Sequence, residues 1–218
     1  MKILAIDIGG TNIKFKVSTG EELRKFPSGK EMTPSLMVEG IRQLSPDWDY
    51  EAVSIGYPGP IVKGKILLEP VNLGRGWVGF DFAEAFGKPV KMINDAAMQA
   101  LGSYEGGRML FLGLGTGLGS CLIIDGTVAP LELAHLPYRK DKSFEQYTGE
   151  AARKRRGTAK WQESIRDIVA RLKAAMIADY VVLGGGNVKK LTELPPNCRP
   201  GDNSHAFIGG VRLWEEAK

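Results

Sequence analysis

Apolar runs and turn residues alternate along this chain in a pattern that predicts a mixed α/β fold. Lys2–Ile8 (KILAIDI) is almost continuously apolar and reads as a buried strand. Asn12–Ser18 alternates apolar and polar positions, as a half-buried strand does, and Gly9-Gly10 between the two makes a hairpin turn. Ala52–Tyr57 is a further strand, stopped by Pro58-Gly59-Pro60. Ile61–Val62 and Lys65–Leu68 flank Lys63-Gly64 as a small hairpin. Val90–Ile93 is a strand that opens into Asn94-Asp95. From Asp95 to Tyr104, Ala96, Ala97, Ala100 and Leu101 recur at helical spacing until Gly106-Gly107. Met109–Leu114 and Ser120–Asp125 form a second strand–glycine loop–strand unit. Trp161, Ile165, Ile168, Val169, Leu172 and Met176 mark an amphipathic helix. Tyr180–Leu183 is a buried strand ending in Gly184-Gly185-Gly186-Asn187. The proline-rich stretch Leu191–Gly201 reads as a loop, and Ala206–Trp214 as a short terminal helix.

The strand–glycine turn–strand unit occurs twice, each time with a threonine in the turn. This suggests a duplicated α/β domain with a cleft between the halves and a boundary near Asn94.

Composition narrows the class. The chain has 218 residues, enough to bury a real core, and its 43% hydrophobic and 25% charged content is that of a globular protein. Two cysteines, Cys121 and Cys198, exclude a disulfide scaffold, a four-cysteine zinc site and a CxxC pair. No apolar run reaches the ~18 residues of a membrane-spanning helix. Asp7 interrupts the apolar start, so that start reads as a strand and not as a signal peptide, and a cytoplasmic location is expected. The net charge of +4 permits an anionic ligand without indicating nucleic acid. Residues 151–173 hold eight basic side chains against Glu163 and Asp167. They form either a solvated helix face or a track for a polyanion.

Glycine turns after buried strands let backbone N–H groups approach phosphate oxygens, although turns also use glycine for steric reasons. The spacing fits neither a Walker A loop nor a first-strand GxGxxG fingerprint. Asp7 is a carboxylate in an apolar strand; it either holds Mg²⁺ through water or caps the turn. Asp95 suits removal of a proton from a hydroxyl attacking a phosphoryl group, and suits a helix N-cap equally well. Glu132 and His135 are spaced to meet on one helical turn and bind hydroxyls together; a lone structural histidine is the other reading. No zinc ligand set, GxSxG elbow or HExxH helix is present.

Four segments in order, Asp7-Ile-Gly-Gly-Thr-Asn-Ile-Lys14, Ile93-Asn-Asp-Ala96, Leu114-Gly-Thr-Gly-Leu-Gly119 and Val182-Leu-Gly-Gly-Gly186, resemble the ROK family of sugar kinases. That family lies within the actin, Hsp70 and hexokinase superfamily. Asn72-Leu-Gly-Arg-Gly-Trp77, Pro130-Leu-Glu-Leu-Ala-His135, Phe144-Glu-Gln-Tyr-Thr-Gly149 and Arg153–Arg156 with Lys160-Trp161 are similar to its polyphosphate/ATP glucokinase branch. The resemblance implies an α/β fold of two ribonuclease-H-like (actin-like ATPase) lobes with a cleft between them. One lobe is 1–94, joined by a C-terminal helix at 205–218, and the other is 95–204. It implies phosphoryl transfer from ATP or polyphosphate to a hexose, with glucose to glucose 6-phosphate as the expected reaction and Mg²⁺ as the cofactor.

Residue by residue, the resemblance makes Asp95 the catalytic base and assigns Asn72, Asn94, Asp95, Glu132, His135 and Glu145 to the sugar. Gly9, Gly10, Thr11, Asn12 and Lys14 match the first phosphate motif, with Asp7 serving Mg²⁺ through water. Gly115, Thr116 and Gly117 match the second phosphate motif, and Gly184, Gly185 and Gly186 the adenosine motif. The family's zinc-binding cysteine cluster is absent, as in the polyphosphate-type enzymes, so no structural zinc is expected. The glycine between Glu132 and His135 is replaced by Ala134, whose methyl is expected either to narrow the sugar pocket or to alter the backbone there. No helix-turn-helix precedes the first strand, which makes the family's repressors a poor match. The implied partners are a small sugar and a phosphoryl donor, with no nucleic acid and no membrane, and a homodimer by analogy. The alternative is a catalytically weak sugar- or nucleotide-binding sensor of the same fold.

Overall fold

The computed structural model describes residues 1–215, so the last three positions of the helix expected at 205–218 lie outside the described residues. The chain forms two compact units. Among the described residues, the first comprises Met1–Met98 and 206–215; the second is Gln99–His205.

In the first unit, β1 (Ile3–Ile8) is buried at every position, while β2 (Asn12–Val17) alternates buried and half-buried residues. β3 is Arg24–Pro27, β4 Ala52–Tyr57, and a two-stranded ribbon of β5 (Ile61–Val62) and β6 (Lys65–Ile66) turns at Lys63-Gly64. Both turn residues have positive φ, +49° and +71°, as a type I′ hairpin demands. β6 ends at Ile66, short of the expected Leu68. β7 is Val90–Asn94. The main sheet runs β3-β2-β1-β4-β7, antiparallel through β3, β2 and β1, then parallel through β4 and β7.

Two helices fall between the strands. α1 (Pro34–Leu44) begins at a Thr33 cap whose hydroxyl accepts the Leu36 N–H, with proline in the first turn. Its buried stripe, Met37, Val38 and Ile41, packs into a core with Leu4, Ile6, Phe15 and Ile55. α2 is Phe82–Phe86. α3 (Asp95–Ser103) follows β7 directly.

The second unit repeats the plan. β8 (Arg108–Leu114), β9 (Leu118–Ile124) and β10 (Thr127–Leu131) form an antiparallel meander. β9 begins at Leu118, two residues before the expected Ser120, so the turn between it and β8 is only Gly115-Thr116-Gly117. A 3-10 turn at Leu133–His135 and a small ribbon of β11 (Pro137–Arg139) and β12 (Lys142–Ser143) lead into helices. These are α4 (Glu145–Thr148), α5 (Glu150–Arg156) and α6 (Thr158–Ala175). α6 buries Trp161, Ile165, Ile168, Val169 and Leu172 against the sheet's Leu110, Leu112 and Val181. β13 (Tyr180–Gly184) pairs parallel with β8 and with β14 (Cys198–Pro200). β14 corrects the loop expected for Leu191–Gly201. Its three residues carry no alternation of their own, and Pro200 is tolerated because the strand lies at the sheet edge. The order β10-β9-β8-β13-β14 matches that of the first sheet position for position.

α7 (His205–Arg212) ends the described chain. The Ser54 hydroxyl on β4 donates to the Gly210 carbonyl at 2.5 Å and accepts from Trp214 Nε1 at 2.8 Å, which fastens this segment to the first unit. Among the described residues, no helix is long and apolar enough to cross a membrane.

Candidate active site

In open α/β sheets, ligands bind outside the carboxyl ends of parallel strands. In the first unit those ends belong to β1, β4 and β7, where Asp7 pairs in register with Gly56, and Gly56 with Ile93. Asn94 and Asp95 come one and two residues later. Two strand spacings separate Asp7 from this end of β7, or about 10 Å.

Asp7 is buried, and its carboxylate lies 3.2 Å from Lys14 Nζ, directly across the β1–β2 ladder. Burial pushes its pKa up, and the Lys14 ammonium opposes that shift. The turn between these strands is closed by a Gly9 N–H to Asn12 carbonyl bond of 3.0 Å. Ser28 fastens it from outside: its hydroxyl donates to the Gly9 carbonyl at 2.6 Å and its N–H to the Thr11 carbonyl at 3.0 Å. Nothing in the local pattern around Ser28 announces this role, because its partners lie 17 and 19 residues away.

At the end of β7, the Asn94 side-chain oxygen accepts the Ala97 N–H at 3.2 Å, and its amide donates to the Gly59 carbonyl at 3.2 Å. Asn94 is therefore the helix cap. Asp95 is the first helical residue; its carboxylate accepts the adjacent Ala96 N–H at 2.7 Å. Asn72 sits on an exposed loop, and its Cβ comes within 3.3 Å of where a Gly10 side chain would begin.

In the second unit, the parallel register of Gly113 with Gly184 puts the Gly115–Gly117 and Gly184–Gly186 turns at one sheet edge. The Asn187 amide donates to the Gly115 carbonyl at 2.9 Å, and its backbone N–H to the Leu114 carbonyl at 2.9 Å. Asn187 thus ties the two turns together. The Glu150 N–H, at the start of α5, donates to the same Gly115 carbonyl at 3.1 Å. Glu145 lies over the first of these turns; a side chain at Gly117 would come within 2.2 Å of its carboxylate. Glu132 and His135 do stand together, 3.8 Å apart and both exposed, on the 3-10 turn. Ala134 between them is 3% exposed and packs in the hydrophobic core with Leu133. A groove of about 470 Å³ opens beside Gly185, lined by Val188, Leu191, Leu194 and Asp202 among others.

The basic run is largely committed to contacts within its own unit. Arg153 makes a two-pronged bond with Glu150 at 2.7 and 2.8 Å, which together with the local charges holds the Glu150 carboxyl down at about 2. Arg156 donates to Ser164 and stacks over Tyr147, and Arg155 donates to the Gln146 carbonyl. Lys154 keeps a mostly exposed side chain.

The donor set suits Mg²⁺. That ion binds through one or two carboxylates and fills its other positions with water and substrate phosphates. A single buried carboxylate beside a glycine turn fits that habit, and a dication would relieve the burial strain on Asp7.

The ROK family model matches residues 3–130, more than half of the chain. The chain belongs to the ROK family. Polyphosphate glucokinase of Mycobacterium tuberculosis (strain CDC 1551 / Oshkosh) is 26% identical over 212 residues, covering 88% of this chain and 80% of the relative. The crystal structure of inorganic polyphosphate/ATP-glucomannokinase from Arthrobacter sp. strain KM superimposes with a TM-score of 0.80 at 25% identity, covering 97% of each chain. A ROK family glucokinase from Streptomyces griseus, in complex with glucose and AMPPNP, gives 0.74 at 17% identity over 98% of this chain and 99% of its own, a likeness of fold. The two sheets of identical strand order are those of the actin-like ATPase fold that ROK sugar kinases share.

Proposed function

We infer that this ROK protein is a hexose kinase that transfers a phosphoryl group from ATP or polyphosphate to a sugar hydroxyl, with glucose as the acceptor. The observation that carries the residue-level reading is the carboxyl edge of β1, β4 and β7, where Asp7, the Gly9–Asn12 turn and Asp95 all lie at or just past the strand ends. In this reading Asp95 accepts the proton of the attacking hydroxyl, because helix capping is already supplied by Asn94.

The remaining residues bind and orient. Backbone N–H groups of the Gly9–Asn12 and Gly115–Gly117 turns receive donor phosphates, and Lys14 adds a fixed positive charge. Asn72, Asn94, Glu132, His135 and Glu145 hold sugar hydroxyls. The Gly184–Gly186 turn, with the groove beside it, receives the donor beyond its reacting phosphates. Asp7 would hold Mg²⁺ through water, and the bound ion supplies charge neutralisation on the donor phosphates.

The test is sugar phosphate formation from glucose and Mg²⁺, with ATP and polyphosphate as parallel donors. Asp95→Asn is expected to lower kcat about 10³-fold while leaving the glucose Kd within roughly twofold. Equal loss of binding and turnover would make Asp95 structural. An Asp95→Asn variant with full turnover would remove it from the chemistry.

A further inference from the structure

The segment that carries Asn72 is fastened by a residue with no assigned role. Glu69 accepts three consecutive backbone N–H groups: Gly76 and Val78 on Oε1, at 3.2 and 3.3 Å, and Trp77 on Oε2, at 3.1 Å. Burial acts to raise its pKa, but the three donors and Arg75 outweigh this and hold the carboxyl below its ordinary value. The bonds close the segment on itself across seven to nine residues, so that it forms a compact Ω-type loop.

Three further contacts seat this loop on the first unit. Tyr57 donates its hydroxyl to the Leu68 carbonyl at 2.9 Å. The Met32 carbonyl accepts both the Gly74 N–H at 3.0 Å and Trp77 Nε1 at 3.3 Å. Within the loop, Pro70, Leu73 and Trp77 are buried, whereas Asn72 is exposed beside Gly10 of the first glycine turn. The loop is thus packed from below and presents one polar amide upward.

We propose that Glu69 is a positioning residue that fixes the Leu68–Val78 loop so that Asn72 meets the hexose. The inference rests on the kinase reading, and within it Glu69 touches neither substrate. Its carboxylate matters because it alone offers acceptors to all three N–H groups. A glutamine of the same size must turn its NH₂ toward at least one of them.

Glu69→Gln tests this without changing side-chain volume. The expected result is a hexose KM raised about tenfold, with kcat and the donor KM within twofold of wild type, since hydrogen bonds to a charged group are among the stronger ones. Hydrogen exchange should speed up at Gly76–Val78 and stay unchanged in β1 and β4. Glu69→Asp, which keeps the charge, should recover part of the KM. A variant whose exchange rises while its hexose KM stays at the wild-type value overturns the inference, as does one whose exchange does not change. So does an equal rise in hexose and donor KM, the mark of general loosening. Wild-type chain that phosphorylates no hexose overturns the kinase reading and this inference with it; the two failures are told apart by wild-type turnover.

Discussion

Three consecutive glycines, Gly184–Gly186, look alike in the sequence but differ in what an added methyl would meet. At Gly185 φ is +83°, and a Cβ would stand 2.4 Å from the Leu114 carbonyl oxygen and 2.7 to 2.8 Å from other Leu114 backbone atoms. Backbone cannot swing aside as a side-chain end can. Gly185→Ala therefore carries about 1–2 kcal/mol for the left-handed conformation. It carries roughly 1–3 more for the Asn187 N–H to Leu114 carbonyl bond that must break as the strands part. The sum is about 3 kcal/mol, or roughly 10 °C in Tm for a chain of this size. Because Asn187 also bonds Gly115, the shift reaches the Gly115–Gly117 turn proposed to receive donor phosphates. The donor KM should rise at least tenfold while the glucose KM barely changes, since displacing a binding group by about 1 Å can cost 10²-fold. Gly186→Ala is the control: φ is not left-handed and nothing lies within 4 Å. It should change Tm by no more than about 2 °C. Thermal unfolding and donor titrations decide the matter. Equal Tm values for the two variants would refute the reasoning.

Other outcomes follow from single contacts. Ser28→Ala, which removes the bond to the Gly9 carbonyl, should raise the donor KM severalfold and leave the sugar KM alone; parallel titrations check it. α6 ends in a Schellman motif, with the Ala178 and Ile177 N–H groups on the Lys173 and Ala174 carbonyls, but its left-handed residue is Ile177 (φ +51°) and not glycine. Ile177→Gly should therefore stabilise the chain by about 1 kcal/mol in denaturant titration. The Glu150 carboxyl titrates near 2 when folded and near 4.5 when free, so its stabilisation is complete above 4.5 and disappears as pH falls toward 2. Stability measured across that window should fall less steeply in Glu150→Gln, and the difference should shrink in high salt. Burial pushes the Cys121 thiol up to about 12, so alkylation of native protein at pH 8 should spare Cys121 and capture it after unfolding.

The strands at the centre of both sheets were legible because each is either a continuous apolar run, such as Ile3–Ile8, or a strict alternation, such as Asn12–Val17; the outer strands β3 and β10 were not read. α1 carried readable signals, Thr33-Pro34 and then Met37, Val38 and Ile41, although no glycine cluster or motif points to that stretch. β14 was not legible, since three residues become a strand only when β13 lies beside them. At the candidate site, the residue types at strand ends could be read, but the residues that hold them could not. Ser28, Glu69 and Asn187 act on backbone far along the chain, and a sequence pattern records local periodicity, not such pairings. The contacts of the charge run at Arg153–Arg156 were illegible for the same reason: its partners Glu150, Ser164 and Gln146 become visible only once α4, α5 and α6 are packed.

The fastening of the two glycine turns also bears on how they would meet a phosphate in the proposed reading. In a trans peptide the carbonyl and the N–H of one unit point in opposite directions. In the first turn, the Ser28 bond to the Gly9 carbonyl fixes the plane shared with Gly10, so it also fixes where the Gly10 N–H points. In the second, Asn187 and Glu150 converge on the Gly115 carbonyl and fix the Thr116 N–H in the same way. Each turn is held through its oxygen, from outside, by a donor on another element. A free glycine turn would have to give up many orientations before presenting an N–H to an anion, and that entropy would be taken from binding. Here the loss is incurred on folding, through Ser28, Asn187 and the start of α5. Glycine is thus needed at these turns for its small size and its access to the backbone, while the rigidity that the proposed phosphate binding would require comes from polar groups outside the motif.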